Sequence, residues 1–221
     1  MEIKMKNYKY ILFDLDGTLI EPKVGITKSV AYALNYFGIQ VDDLDSLCKF
    51  IGPPLRDSFV KYYGFSKEKA EEAVAKFREY FRPHGVFEND LYDGVPELLI
   101  ALKEADKKVI LATSKPQVFA DMILKHYDIY KYFDVVVGSE LDGSREKKGD
   151  VIAFALEQAG VTDKTMAIMV GDREHDVIGA KENGLDSIGV LYGHGTLNEL
   201  QEHGANGIAE TVKELQELLL K

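Results

Sequence analysis

Hydrophobic and polar positions follow two different patterns along this chain, one typical of buried strands and one typical of helices. Short apolar runs, typical of strands that are covered on both faces, are separated by longer stretches in which apolar residues recur with helical spacing. The predicted strands are 8–13, 108–113, 134–137, 166–170 and 187–191, and the predicted helices are 95–105, 118–126, 150–159 and 175–182. Capping-box spacing at Thr196 with Glu199, and at Thr211 with Glu214, predicts two further helices. This order of elements predicts an α/β fold, with a Rossmann-like parallel sheet core that helices cover on both faces.

The block between the first predicted strand and this array has a purely helical pattern. Helical spacing is found over 26–37, 42–49, 55–63 and 67–81, and the block offers no good strand. Because it is too large for an ordinary crossover, we predict an inserted all-α cap domain over 21–87. The α/β catalytic core would then comprise 1–20 and 88–221. Both connections fall near the C-terminal end of the first strand, where open α/β sheets bind ligands, so we expect the cap to act as a lid.

Composition narrows the classes of function. The 221 residues carry a formal net charge of -10 at pH 7, which argues against a nucleic acid polymer or an anionic membrane as partner. A small anionic substrate stays compatible with this charge if a metal or a few cations act locally. Cys48 is the only cysteine, which excludes an internal disulfide. The first apolar run is cut short by Asp14, before it reaches the length of a signal peptide core or a membrane span. We therefore expect a cytoplasmic protein; the sequence does not indicate its oligomeric state.

Carboxylates stand at the ends of two of the predicted strands. Asp14 and Asp16 follow the first strand, Asp172 follows a later one, and Asp176 comes four residues after Asp172. Parallel strands end at one edge of a sheet, so these carboxylates should meet in one cleft. Carboxylates are costly to bury and repel one another, so something must neutralise them. Clustered aspartates without cysteine or histidine favour a hard cation that prefers oxygen ligands, and Mg²⁺ is the best candidate.

Such a cation gives the first pair of carboxylates a chemical role. Asp14 would lie against Mg²⁺ together with Asp172 and a backbone carbonyl near Asp16, and a metal-bound carboxylate can attack as a nucleophile. Asp16 would then serve as general acid and later as general base. Gly17 permits a sharp turn that leaves backbone N–H groups facing an anion. A phosphoryl group fits such a site, because its transition state needs cations and hydrogen-bond donors.

At these residues the sequence resembles the haloacid dehalogenase-like hydrolases, over essentially the whole chain. The four motifs of that family are DxDGT, a Ser or Thr that ends a strand, a lysine before a helix, and GDxxxD. Their matches here are Asp14 to Thr18, Thr113, Lys148 and Gly171 to Asp176. The resemblance implies that Asp14 forms an aspartyl-phosphate, that Asp16 is the acid and base, and that Thr113 and Lys148 hold the phosphate. It further implies that Asp172 binds Mg²⁺, with Asp176 as a ligand or as the partner of one.

Two shorter stretches are similar to the phosphoglycolate phosphatase-like branch of this family. They are Ile51 to Leu55 in the cap and Ala112 to Pro116 at the end of a strand. Thr18, Ser114 and Arg56 are candidate contacts of the substrate. The resemblance implies a Mg²⁺-dependent phosphatase that acts on a small phosphorylated metabolite, with phosphoglycolate as the default and a nucleoside 5'-monophosphate nearly equal to it. A phosphosugar mutase and a catalytically silent binding protein are the alternatives.

Several residues keep a second interpretation. Lys147 competes with Lys148 for the phosphate, and Asp176 could instead interact with a helix dipole. Arg56 could lie on a helix surface. Lys115 is expected to be a solvated residue at the start of a helix, although it could line the cleft. His194, between two glycines, is expected to lie in an ordinary loop.

Overall fold

A computed structural model describes residues 6–221. The contacts between Cα atoms divide the chain into two compact units: the segment that ends at Glu21 together with Leu91–Lys221, and the inserted segment Pro22–Asp90. The α/β class predicted from the sequence is confirmed. Residues 1–5 of the predicted core lie outside the described residues. The function of the inserted unit as a cap stays a prediction.

The first unit is built on a six-stranded sheet in which all neighbouring strands are parallel. Its strands are β1 (Tyr10–Phe13), β4 (Lys108–Pro116), β5 (Val135–Ser139), β6 (Ala167–Gly171), β7 (Asp186–Val190) and β8 (Gly207–Ala209). They lie in the order β5-β4-β1-β6-β7-β8. The chain thus adds strands to one side of β1 and then, from β6 onward, to the other. This reversal makes the boundary between β1 and β6 the topological switch point, where such sheets bind ligands beyond the carboxyl ends of the strands.

Helices connect these strands and cover the sheet. They are α4 (Val95–Glu104), α5 (Gln117–His126), α6 (Lys148–Gln158), α7 (Glu174–Glu182), α8 (Leu197–His203) and α9 (Val212–Leu219). On one face, α6 packs Val151 and Ile152 against Leu12 of β1 and Met169 of β6. Successive strand residues point to opposite faces, and Ile11 and Phe13 are as fully buried as Leu12. Both faces of the central strand are therefore covered, which explains why the strands read as continuous apolar runs.

The inserted unit consists of helices joined by loops, and its last residue, Asp90, belongs to a short strand. It contains α1 (Lys23–Tyr36), α2 (Leu55–Tyr63), α3 (Lys67–Phe81) and two short 3-10 helices, Leu44–Phe50 and Gly85–Phe87. Phe50, Phe59 and Phe65 form its aromatic centre, with ring centroids 5.0 and 5.9 Å apart for the pairs that include Phe59. Two short strands, β2 (Ile20–Glu21) and β3 (Asp90–Leu91), form a separate two-stranded sheet.

Two predictions about elements need correction, and one strand of the large sheet was not predicted. The α-helix expected over 42–49 is a 3-10 helix, capped by the Asp43 side chain, which accepts from the backbone N–H of Asp45. The strand expected to end at Thr113 continues to Pro116 with a register shift after Ala112. β8 was not predicted because it has three residues and begins with glycine. No helix within residues 6–221 is long and apolar enough to span a membrane.

Candidate active site

The candidate active site lies where β1 and β6 end side by side. Phe13 of β1 pairs with Val170 of β6, and the backbone N–H of Asp14 donates to the Val170 carbonyl at 2.9 Å. Asp14 therefore continues the line of β1, while Asp172 follows directly after β6. Hydrogen bonding between two central strands thus fixes both carboxylates at the topological switch point.

Asp14, Asp172 and Asp176 form a buried carboxylate triad. Each offers one carboxylate oxygen, and these oxygens all lie within 4.8 Å of one another. Asp172 and Asp176 are each 1% exposed and Asp14 is 7% exposed. Asp176 is in the first turn of α7, where its Oδ2 accepts from the backbone N–H of Arg173 at 3.1 Å. Asp172 precedes that helix, so strand end and helix start bring the two carboxylates together.

Lys148 provides the cation that contacts this triad. Its Nζ lies 2.8 Å from Asp14 Oδ1, 2.9 Å from Asp176 Oδ1 and 3.2 Å from the carbonyl oxygen of Ala112. Lys147, the competing candidate, is the exposed residue that precedes α6. The first turn of α6 thus directs only the second of these two lysines into the site.

Burial and like charge shift the titration of these groups. Burial, followed by the charges of Asp176 and Asp14, raises the pKa of Asp172 to about 7. Burial also raises the pKa of Asp176, although Lys148 opposes that shift. Burial disfavours the charge on Lys148, but its ion pairs with Asp14 and Asp176 outweigh this effect and raise its pKa. The raised pKa values of Asp172 and Asp176 indicate that Lys148 alone does not neutralise the three carboxylates of the triad.

The triad fits the Mg²⁺ that the sequence predicts. All its ligand atoms are carboxylate oxygens, which Mg²⁺ prefers. Asp172 Oδ1 is buried and has no hydrogen-bond partner among residues 6–221, so its lone pairs are available to a cation. Counting Asp16, the site holds four carboxylates and two ammonium groups; Lys148 pairs with Asp14 and Asp176, and Lys115 pairs with Asp16. Fully ionised, these six groups carry two excess negative charges, which one divalent cation would balance.

Asp16 forms an ion pair with Lys115, and this contact corrects one prediction. Lys115 Nζ donates to both Asp16 oxygens, each at 2.7 Å. The Lys115 side chain is 5% exposed, so the expectation of a solvated lysine was wrong. The extension of β4 beyond Thr113 carries this lysine into the site.

The predicted hydroxyl groups differ in their surroundings. Thr113 is buried, and its Oγ1 accepts from the backbone N–H of Lys115 at 3.2 Å. Thr18 is also buried, and its Oγ1 lacks a hydrogen-bond partner among the described residues. Ser114 donates from Oγ to the Glu146 carbonyl at 3.2 Å, so this hydroxyl already has a partner within the protein.

The loop after β7 touches the site more closely than the sequence suggests. The backbone N–H of His194 donates to Asp172 Oδ2 at 2.8 Å, and the His194 ring contacts Glu21 Oε1 at 2.9 Å. Burial opposes the charge on this imidazole, but the hydrogen bond and charge of Glu21 raise its pKa overall. The available signal was a histidine between two glycines after a strand at the predicted active edge, and an ordinary loop was preferred as its interpretation.

Gly17 has a backbone that only glycine adopts easily. Its φ is +79°, and a Cβ atom there would lie 2.2 Å from Asp172 Oδ2. The glycine of the DxDGT motif thus lets the turn after β1 approach the Asp172 carboxylate.

Arg56 belongs to the inserted unit. It lies in the first turn of α2, is partly buried, and forms an ion pair with Glu71 of α3. Both residues line a groove on this unit together with Lys61 and Lys67. A contact of Arg56 with substrate stays a prediction.

Comparisons with known proteins identify the family. A model of the haloacid dehalogenase-like hydrolase family matches residues 11–190. A 5'-nucleotidase of Pseudomonas aeruginosa is 45% identical over 96% of this chain and 96% of its own length. The tyrosine-protein kinase PtkA of Mycobacterium tuberculosis is 37% identical over 95% of this chain and 72% of its own. A phosphoglycolate phosphatase of Colwellia psychrerythraea is 25% identical over 96% of this chain and 97% of its own.

A solved structure extends this likeness to three dimensions. The crystal structure described as that of a predicted phosphatase from Clostridium acetobutylicum superposes with a TM-score of 0.94. It is 52% identical and covers 97% of this chain and 99% of its own. The chain therefore belongs to the haloacid dehalogenase-like hydrolases, and within them it is an enzyme of the phosphatase class.

Proposed function

We propose that this enzyme is a Mg²⁺-dependent phosphatase that hydrolyses a small phosphomonoester through an aspartyl-phosphate on Asp14. The observation that carries the proposal is the buried triad of Asp14, Asp172 and Asp176 with Lys148 beside it, at the switch point of the sheet. The triad carboxylates and the backbone carbonyl of Asp16 would hold the metal. Bound there, Mg²⁺ would neutralise charge on the phosphoryl oxygens and keep the carboxylates ionised.

The residues of the chain divide the reaction between them. An oxygen of Asp14 attacks phosphorus and the bond to the alcohol oxygen breaks, while Asp16 delivers a proton to that oxygen. Lys148, Thr113 and Thr18 orient the phosphoryl oxygens. Water then attacks the phosphorus, Asp16 takes the proton of the water, and the bond between phosphorus and Asp14 breaks. Inorganic phosphate leaves, Asp14 is again a carboxylate, and Asp16 is again the protonated acid with which the first step begins.

A nucleoside 5'-monophosphate is the substrate class we propose first. Its support is the 5'-nucleotidase of Pseudomonas aeruginosa, which is 45% identical over nearly the full length of both chains. Phosphoglycolate, the default from the sequence, has weaker support from a relative that is 25% identical. A small phosphorylated metabolite is thus the proposed partner, and a cytoplasmic location stays a prediction.

The proposal is tested by phosphate release from a panel of esters. The panel contains nucleoside 5'-monophosphates, phosphoglycolate, hexose phosphates and p-nitrophenyl phosphate, each with Mg²⁺ or with EDTA. We expect metal-dependent release that Asp14→Asn abolishes, with the highest kcat/KM for a nucleoside monophosphate. The matched control is Asp128→Asn, which changes an aspartate that is 82% exposed and should leave the rate unchanged. A folded wild-type protein that releases phosphate from no ester in Mg²⁺ would rule the proposal out.

A further inference from the structure

Lys115 is a buried cation that the proposed reaction has not yet used. Its Nζ lies 2.7 Å from Asp16 Oδ1 and 2.7 Å from Asp16 Oδ2. The side chains are 5% and 14% exposed, so water screens this ion pair little. Two short, charge-assisted contacts to one carboxylate fix the rotation of that carboxylate as well as its position.

The local backbone of β4 directs this lysine toward Asp16. The register with β5 shifts between Ala112 and Pro116, and such irregularities re-aim side chains next to active sites. β5 accommodates the shift at Gly138, where a Cβ atom would lie 2.6 Å from the Lys115 carbonyl oxygen. Gln117, the residue after β4, also contacts β5 at this point, because its Oε1 accepts from the Gly138 backbone N–H at 2.7 Å. The position of Lys115 therefore depends on the backbone of both β4 and β5.

We propose that Lys115 is a positioning residue for Asp16 and that its main effect is on the hydrolysis of the aspartyl-phosphate. The inference rests on the proposed function, because it assigns a task to Lys115 within that two-step reaction. An ionised carboxylate has about four acceptor sites on its two oxygens. Lys115 occupies one site on each Asp16 oxygen, which leaves the others for a water molecule.

The two steps place opposite demands on this ion pair. In the first step Asp16 gives a proton to the alcohol, and the oxygen that carries this proton can bind Lys115 less well. In the second step Asp16 acts as a carboxylate. An O–H bond of water breaks and its proton goes to an Asp16 oxygen, while the water oxygen bonds to phosphorus. The bond between phosphorus and the Asp14 oxygen breaks, and its electron pair returns to Asp14. The doubly held carboxylate is the form that this second step requires.

Removing the ammonium group should therefore slow the second step more than the first. The substrate for the test is p-nitrophenyl phosphate, because p-nitrophenolate leaves without needing a proton and reports the first step directly. The variants are Lys115→Met, which removes the charge, and Lys115→Arg, which retains a bidentate donor. The matched control is Lys108→Met, which removes an exposed lysine at the far end of β4 and its ion pair with Asp134.

We expect Lys115→Met to lower kcat about 10- to 100-fold, the usual cost of misplacing a catalytic group. KM should fall in parallel, so kcat/KM stays within about twofold, because kcat/KM reports the first step. Rapid mixing should show a burst of close to one p-nitrophenolate per folded protein, followed by the slow steady rate. Lys115→Arg should recover most of kcat, and Lys108→Met should match the wild type.

Other results overturn the inference and show which part has failed. If Lys115→Met lowers kcat/KM as much as kcat and gives no burst, Lys115 acts in the first step or in binding. If kcat is unchanged, the ion pair has no part in the reaction. A fraction of unfolded variant lowers burst and steady rate equally, so it cannot imitate the expected split. If the wild type releases no p-nitrophenolate, the phosphatase proposal itself fails, and this is seen before any variant is measured.

Discussion

Among the residues of the site, Asp172 gives the clearest indication that a cation binds there. It is 1% exposed and lies close to two other carboxylates, and the backbone N–H and the charge of His194 offset its negative charge only in part. Without a metal, burial and the charges of Asp176 and Asp14 raise its pKa to about 7. A proton and a metal ion therefore compete for the same carboxylate.

This competition predicts how Mg²⁺ affinity depends on pH. Because the metal-free pKa of Asp172 is raised to about 7, the carboxylate is ionised above that pH and protonated below it. Mg²⁺ needs the ionised form, so affinity should be constant above about pH 8. It should fall by up to about tenfold per unit as the pH drops below about 7. Titration calorimetry on the full chain measures this directly.

A variant separates this effect from a general response to pH. Asp172→Asn removes the competing proton, so its weaker Mg²⁺ affinity should lose the dependence on pH near 7. A wild-type dissociation constant that stays the same between about pH 8 and about pH 6 would contradict the prediction.

Individual residues also mark where reasoning from sequence succeeds. Asp14 and Asp172 follow apolar runs, so their placement at a strand end was readable from the pattern alone, although their catalytic roles stay proposals. Lys115 was misjudged, because its burial depends on a register shift in β4 and on Gly138 in the next strand. Neither feature leaves a local signal at the lysine itself.

Among the elements, α9 provides a quantitative test of local sequence signals. Thr211 Oγ1 accepts from the backbone N–H of Glu214 at 3.1 Å, as the capping-box spacing suggested. Thr211→Ala removes this bond and should lower the free energy of unfolding by about 1 kcal/mol. For a chain of this length, Tm should fall by about 2–4 °C in a calorimetric scan.

Lys213→Ala is the control for this change, because Lys213 lies exposed on the same helix. It should shift Tm by less than half as much. An equal loss in both variants would mean that the cap contributes nothing beyond the general effect of substitution in α9.

Elements with strong hydrophobic periodicity or a capping signal were predicted from the sequence, and elements in which these signals are weak were not. The helix over 118–126 is found as Gln117–His126, because its apolar stripe buries Phe119, Ala120 and Ile123. The three residues of β8 are too few to show alternation. The 3-10 helix Leu44–Phe50 has apolar residues that a longer α-helix could also present, so the sequence could not distinguish the two.

At the level of the whole molecule, the alternation of strands and helices determined the fold class but not the order of strands. The order β5-β4-β1-β6-β7-β8 is set by the packing of helices on two faces, which joins residues far apart in the chain. That order is what brings Asp14 beside Asp172. The strand ends of a parallel sheet predicted that both carboxylates lie at one edge, and the resemblance to the family implied that they act together, but local periodicity does not give the order of strands that makes them neighbours.

The stability of the whole molecule should also depend on Mg²⁺. Mg²⁺ would bind the folded triad but not the unfolded chain, so it should stabilise the protein by RT ln(1 + [Mg²⁺]/Kd). At a concentration one hundred times Kd this is about 2.7 kcal/mol, or roughly 5–11 °C in Tm. Differential scanning calorimetry with and without Mg²⁺ at constant ionic strength measures the shift.

Constant ionic strength is essential, because the net charge of -10 would let any salt reduce repulsion within the chain. Asp176→Asn is the informative comparison, since it removes one triad oxygen while the surface charge stays nearly the same. In that variant the Mg²⁺-dependent rise should shrink to a small fraction of the wild-type value. If instead both proteins gain the same Tm from Mg²⁺, the ion acts on the acidic surface, and the triad is not the site that binds it.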